Sequence, residues 1–305
     1  MKKIFKIILL VISIVLIMIT FLFFYNFGIN KSINMNNLDM KHYMDMADKI
    51  GDKKVQLDWK QIAAIAAVQN KNSFNSIDDK VITKIGKTFI ITYRGEYKIL
   101  PLKSVMEKLN FDNNQKRKVH KYIEKLGKYQ LEMLKEEKED KNLSHELKFI
   151  NKIKEDAIKN YNTYGVLPSI TIAQAILESD FGRSELSVKG NNLFGIKADA
   201  NYKGDYISFK TQEFHNTIIN ANFRKYKSID ESIKDHGEFL VVNSRYKENG
   251  LFEAKTYITQ AQALENAGYS TAENEFGEKI YADILIELIR EYSLQNIDSI
   301  VQTKE

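Results

Sequence analysis

From Pro168 to Gly182 the chain reads Pro-Ser-Ile-Thr-Ile-Ala-Gln-Ala-Ile-Leu-Glu-Ser-Asp-Phe-Gly, and this segment constrains the fold more than any other. Pro168 can open a helix, because its missing N–H costs nothing in a first turn and its fixed φ suits one. Gly182 can close it by taking the left-handed conformation common just past a helix end. Ile170, Ala173 and Leu177 recur at helical spacing, and Ile172, Ala175 and Ile176 widen the apolar surface. A helix apolar on most of its circumference is expected to be buried on most of it. Glu178 then falls in its last turn, where water is scarce.

Desolvation penalises an ionised carboxylate, and the unpaired carbonyls of a helix C-terminus penalise it further, so both push the Glu178 pKa upward. An acid that keeps its proton near neutral pH can protonate a poor leaving group. Cleavage of a glycosidic bond needs such a donor as the oxocarbenium-like transition state forms. The bland alternatives are that Glu178 caps the helix or pairs with Arg183, since structural ion pairs also perturb carboxylates.

Downstream stand Gly190-Asn191-Asn192-Leu193-Phe194-Gly195-Ile196-Lys197, Tyr202-Lys203-Gly204-Asp205-Tyr206, Phe209-Lys210-Thr211-Gln212-Glu213 and Asn222-Phe223-Arg224-Lys225-Tyr226-Lys227-Ser228. Asp235-His236, Phe239-Leu240, Ser244-Arg245-Tyr246 and Ala267-Gly268-Tyr269-Ser270-Thr271 follow in order. In this order and spacing, over about Leu143 to Leu294, the chain resembles the glucosaminidase domain family, glycoside hydrolase family 73, which includes bacterial autolysins and flagellar peptidoglycan hydrolases. The resemblance implies a lysozyme-like fold with a groove between a helical lobe and a small β-hairpin lobe. It also implies an endo-β-N-acetylglucosaminidase that cuts peptidoglycan glycan strands after N-acetylglucosamine, with Glu178 as general acid. Glu213 matches the family's β-lobe acid, which could activate water or stabilise the positive transition state; its alternative is a solvated hairpin carboxylate. Tyr269 matches the family's active-site tyrosine, with an ordinary half-buried tyrosine as its rival. Two departures stand out: Tyr202 occupies a position where the family usually has Trp, and Ala272-Glu273 replaces the usual Asp and Pro.

A saccharide groove needs aromatic faces to pack sugar rings and amide or hydroxyl groups to bond their substituents. Phe194, Tyr202, Tyr206 and Tyr269 could supply the faces, and Gln174, Ser179 and Asn192 the polar contacts. Asn191-Asn192 could equally make a turn, and Leu193 and Phe194 could close the core. Tyr206–Lys210 and Ile218–Phe223 have strand character and predict the β lobe. His215 and His236 fit no metal-ligand spacing, so no metal and no cofactor are expected. Glycine-rich phosphate loops, Gly-x-Ser-x-Gly and Cys/His pairs are absent from the sequence, so kinase, esterase and cysteine-peptidase chemistry lack their parts.

At the N-terminus Lys2, Lys3 and Lys6 precede a run from Ile7 to Tyr25 that carries no charge. That run suits one bilayer crossing, is longer than a signal-peptide core, and is followed by no Ala-x-Ala cleavage site. It predicts an uncleaved signal anchor over residues 1–27, with a removed signal peptide as the alternative. The lysines would keep that end in the cytoplasm and place the rest outside, on the cell-wall side of the membrane. The formal charge of +5 includes those three lysines, so the remainder is nearly balanced and nucleic-acid binding gains no support. With no cysteine anywhere, the fold must rest on apolar cores rather than disulfides.

Residues 28–46 read as an Asn-rich spacer and 47–128 as a small α+β domain. Within that domain Asp58 is a candidate N-cap for a Trp59–Val68 helix, and two strands flank Arg94-Gly95-Glu96. Trp59 is better read as core than as a ligand platform. Residues 129–142 carry mixed charges and predict a solvated helical linker to a catalytic domain over 143–295. The fold class expected is therefore mainly α (α+β): a lysozyme-like domain preceded by a small α+β domain and a transmembrane helix. A cell-envelope protein is a candidate partner for residues 47–128. Two rival functions stay open: a muramidase or lytic transglycosylase working in a similar groove, and a non-catalytic wall-binding or division scaffold.

Overall fold

The structure is a computed structural model that describes residues 16–20, 33–137, 143–213 and 217–303, with the side chains of 137 and 210–219 also outside the description. Two apolar cores organise it. One gathers residues from Ile33 to Leu126, with Trp59, Ile62, Ile65 and Tyr122 fully enclosed. The other runs from Phe149 to Ile297 and is centred on Ile170, Ile172, Ala173 and Ala175.

In the first unit, helices Met40–Gly51, Trp59–Gln69 and Asp79–Phe89 pack together, and Asn113–Glu137 lies along the second of them. The Asp58 carboxylate accepts the Lys60 N–H, so the cap predicted from sequence forms. Strands Ile90–Tyr93 and Glu96–Ile99 pair antiparallel through the two-residue turn Arg94-Gly95. Both turn residues have positive φ, 51° and 83°, the twist that a tight hairpin requires.

Helix Asn113–Glu137 runs without interruption into the region expected to be a solvated linker. Leu134 is buried, and the Gln130 amide donates to the Ser293 hydroxyl of the second unit. Part of that linker is therefore packed rather than free; residues 138–142 lie outside the described residues. Trp59 is core, as expected, and it also faces the seam, with its indole N–H 3.4 Å from Ser293 Oγ. More polar contacts close that seam. Arg290 pairs with Asp45 at 2.9 Å and Asp48 at 2.7 Å. Asp48 also accepts from Tyr257, and the Gln302 side chain accepts the Gln56 N–H.

The second unit places helix Pro168–Ser179 against Leu143–Tyr164, Tyr257–Asn266, Tyr281–Glu291 and Gln295–Val301. Antiparallel strands Tyr206–Glu213 and Thr217–Arg224 form its hairpin, in register from Tyr206 opposite Arg224 to Glu213 opposite Thr217. A mainly helical lobe with a small two-stranded lobe is the arrangement expected. Among the described residues no helix is long and apolar enough to cross a membrane. Most of the expected anchor, residues 1–15 and 21–27, lies outside the described residues, as do 28–32 of the spacer.

Candidate active site

Helix Pro168–Ser179 is buried from Pro168 through Ile176, as its composition demands. It ends at Ser179, short of Gly182, because Asp180 already takes the left-handed conformation at φ 50°. Phe181 and Gly182 continue with φ 54° and 76°. A side chain at Gly182 would also collide with the Phe149 ring 2.8 Å away, so this position needs glycine for space as well as for backbone.

In the last turn the helix surfaces. Leu177 and Glu178 are exposed, whereas the sequence pattern predicts a position where water is scarce for Glu178. The Glu178 carboxyl nevertheless has protein crowded around it, and that desolvation raises its pKa above the ordinary carboxylate value. Open access with a raised pKa is what a general acid acting on an external polymer requires. The pairing alternative is answered directly: Arg183 takes Asp180 instead, with Nη2 2.7 Å from Oδ1 and Nε 3.1 Å from Oδ2.

Two tyrosines stand beside this acid. Tyr269 is half-buried and stacks on Tyr281 with ring centroids 5.4 Å apart. Burial first, then the neighbouring Glu178 charge, push the Tyr269 hydroxyl well above its usual range. Tyr281, which the sequence reading did not single out, brings its hydroxyl to 3.4 Å from Glu178 Oε1. Its sole sequence signal was an aromatic at the start of an amphipathic helix, which ordinary core tyrosines share.

Several expected groove contacts are instead spent on the fold. Gln174 is fully buried, with its amide donating to the Tyr281 hydroxyl at 2.9 Å. Ser179 is fully buried, donates to Ala175 O and accepts the Gly182 N–H, so it closes the helix end. Asn192 accepts the Phe194 and Ile196 N–H groups and donates to Ile196 O and Arg224 O, fastening its turn to the hairpin. Phe194 is buried and stacks on His236 at 3.9 Å. These four residues support the site from behind, because an enclosed group offers a sugar nothing to touch.

Tyr206 is exposed, at 58%, and Tyr202 is half-buried. One face of Tyr202 is covered by the Arg224 guanidinium 4.6 Å from its centroid. Arg224 is held in turn by two 2.9 Å bonds to Asp235, which also accepts from Tyr226 at 2.6 Å. Glu213 ends the first hairpin strand, and its side chain lies outside the described ones. Two clefts, about 560 Å³ beside Thr83 and about 540 Å³ beside Met44, are not lined by Glu178. An acid on an open surface suits a polymer better than an enclosed pocket does.

The glucosaminidase family model, described as mannosyl-glycoprotein endo-beta-N-acetylglucosaminidase, matches residues 154–294. Exo-glucosaminidase LytG of Bacillus subtilis is 39% identical over 169 residues, covering 53% of this chain and 57% of that one. Peptidoglycan hydrolase FlgJ of Vibrio cholerae is 37% identical over 138 residues, covering 43% and 41%. The crystal structure of the catalytic domain of the autolysin Auto from Listeria monocytogenes is 37% identical, with 50% of this chain covering 87% of that one at a TM-score of 0.44. The chain thus spans about half the length of the curated relatives it matches. Residues 154–294 are a domain of the glucosaminidase family, glycoside hydrolase family 73.

Proposed function

We propose that this protein hydrolyses peptidoglycan glycan strands as an endo-β-N-acetylglucosaminidase, with Glu178 donating the proton to the leaving oxygen. The observation that carries this reading is the Glu178 carboxyl itself: reachable from solvent, raised in pKa by desolvation, and left out of the Arg183 pair. Tyr269 lies where it can bear on the charge that develops beside that acid. Glu213 is the proposed second carboxylate, supported by its position at the hairpin end and the family match. Tyr202 and Tyr206 are the proposed sugar-packing faces.

Glu178→Gln tests the assignment, because it removes the transferable proton while keeping size and shape. Hydrolysis of purified cell wall is expected to vanish with folding intact, and full activity in that variant would reject the role. Mass spectrometry of the wild-type digest fixes the bond. A reducing N-acetylglucosamine end supports the proposal; a reducing or anhydro-muramic end would assign a muramidase or lytic transglycosylase instead. The name of the Bacillus subtilis relative specifies an exo-acting enzyme. Internal fragments of mixed length at early times support endo cleavage here, and uniform small products would reverse it.

The same proposal places the enzyme outside the cell on an N-terminal anchor, supported by Lys2, Lys3 and Lys6 ahead of the uncharged run from Ile7 to Tyr25. Peptidoglycan is then the partner within reach. Protein that stays with membranes after alkaline washing, and is digested by external protease on intact wall-stripped cells, is the expected result.

A further inference from the structure

Behind Glu178 lies a buried chain of polar contacts that no step above has used. Gln174 sits one helical turn before Glu178 on the same helix, and its amide N–H points at the Tyr281 oxygen 2.9 Å away. An amide nitrogen can only donate, so that oxygen accepts. A phenol has one proton, and with its oxygen engaged by Gln174 that proton is free to turn to Glu178 Oε1, 3.4 Å distant. Tyr281 is 2% exposed and Gln174 is fully buried, so neither can touch a bound sugar. The Tyr281 ring is itself fixed, stacked face to face on Tyr269 at 19°.

We infer that Gln174 and Tyr281 form a positioning dyad that aims one hydroxyl proton at the Glu178 carboxylate, setting the orientation of the acid and the pH at which it releases its proton. The inference rests on Glu178 being the acid. Other charged groups surround the helix: the Asp180–Arg183 pair, His145 and Glu146 from Leu143–Tyr164, Glu265 from Tyr257–Asn266, Arg245 beside Tyr246, and Asp298 at the far end. Beyond burial, the influence that acts on the titration of Glu178 is the Tyr281 bond, which lowers its pKa. The Tyr281 hydroxyl is raised well above its usual range by burial, so it remains a donor throughout the working pH range. At 3.4 Å the contact is long for a hydroxyl and a carboxylate; catalytic bonds of this kind tighten when substrate expels water.

Tyr281→Phe deletes the hydroxyl and keeps the stacked ring. Loss of a donor that favours the ionised acid raises the Glu178 pKa, so activity persists to higher pH. The alkaline limb of the kcat profile on soluble glycan strands is expected to move up by about half to one pH unit, the size of one long, weak hydrogen bond. Turnover should fall about tenfold as the acid loses its aim, with KM nearly unchanged. Gln174→Met, which removes the amide that orients the phenol, should move the limb the same way by less, and it carries the test if Tyr281→Phe does not fold. A merely structural role would lower thermal stability and leave the limb in place, and an unmoved limb in a folded variant overturns the inference. A carbon-13 NMR titration of the Glu178 carboxyl, in wild type and Tyr281→Phe, reads the same shift without catalysis. Full activity in Glu178→Gln would reject the proposed function, whereas a carbon-13 titration of Glu178 that does not differ between wild type and Tyr281→Phe would reject the dyad itself.

Discussion

Asp298 holds the start of the helix that ends at Glu178, and its proton should make stability depend on pH in a calculable way. Leu167 occupies the cap position of that helix and has no acceptor to offer. The Asp298 carboxyl takes the role from another helix, accepting the Ser169 N–H at 2.9 Å and its hydroxyl at 2.5 Å. Burial pushes Asp298 up to about 7 even though both Ser169 bonds pull it down. An unfolded aspartate titrates near 3.8. Between those two values the native state holds a proton that the unfolded state has released, so stability falls as pH rises. The slope is about 1.4 kcal/mol per pH unit, or about 4 kcal/mol over the whole window. The positive end of the helix favours the ionised form by about 1 kcal/mol, which reduces the expected loss to about 3 kcal/mol.

His236 hides this effect in the wild type. It is fully buried between Phe194 and Tyr269, and desolvation pulls its pKa down to about 3 from 6.5. Between those values the unfolded state binds a proton that the native state refuses, so stability falls as pH drops, with the opposite slope. Over the shared range the two contributions cancel. Urea unfolding of wild type and Asp298→Asn, measured in parallel from pH 5 to pH 8, isolates the aspartate: the stability of wild type relative to the variant should fall by about 2 kcal/mol across that range. The matching comparison with His236→Phe should show the reverse slope below pH 6.5. A flat Asp298→Asn difference would refute the reasoning, because Asp298 would then be ionised in the native protein at every pH tested.

Other substitutions probe the remaining links. Arg290→Ala strips Asp48 of its partner while Tyr257 still faces it, and should cost about 2 to 3 kcal/mol in urea unfolding, the range for breaking a partly buried pair. Trp59→Ala opens a cavity in the first core and should cost about 3 to 5 kcal/mol by the same measurement. Glu213→Gln should lower turnover on purified cell wall by about 10²-fold or more, whereas near-normal turnover would remove it from the mechanism. A chain cut after Leu294 loses Asp298 and Gln302, and should melt well below the full-length protein in a thermal scan.

The sequence made legible what depends on local pattern. The Pro168 helix start, the Asp58 cap, the strands flanking Arg94 and Gly95, and the hairpin after Tyr206 follow from spacing and turn chemistry, which act over a few residues. Roles that depend on what packs opposite were not legible. Asn192 looks equally like a sugar contact or a turn residue until Arg224 O is seen 2.8 Å from its amide. Gln174 and Ser179 are polar residues on an apolar helix, and only the partners at Tyr281 and Ala175 show that they face inward. Tyr281 lies 103 residues beyond the acid it touches. No local rule links positions that far apart.

The two helices that meet at Glu178 share a design that local capping rules cannot find. Leu167 and Ile280 stand at their cap positions, and neither supplies a side-chain acceptor. Asp298 serves the first helix at Ser169, and Glu265 serves the second by accepting the Ala282 N–H at 2.9 Å. Each helix start therefore takes its capping acceptor from a distant element rather than from its own cap residue. The second helix opens with Tyr281 beside the acid and reaches Arg290 in its last turn, where it pairs with Asp45 and Asp48 of the first unit. The first unit thus braces the far end of the element behind Glu178. That unit is packed, through Trp59, Gln130 and Asp48, onto the wall against which the acid rests.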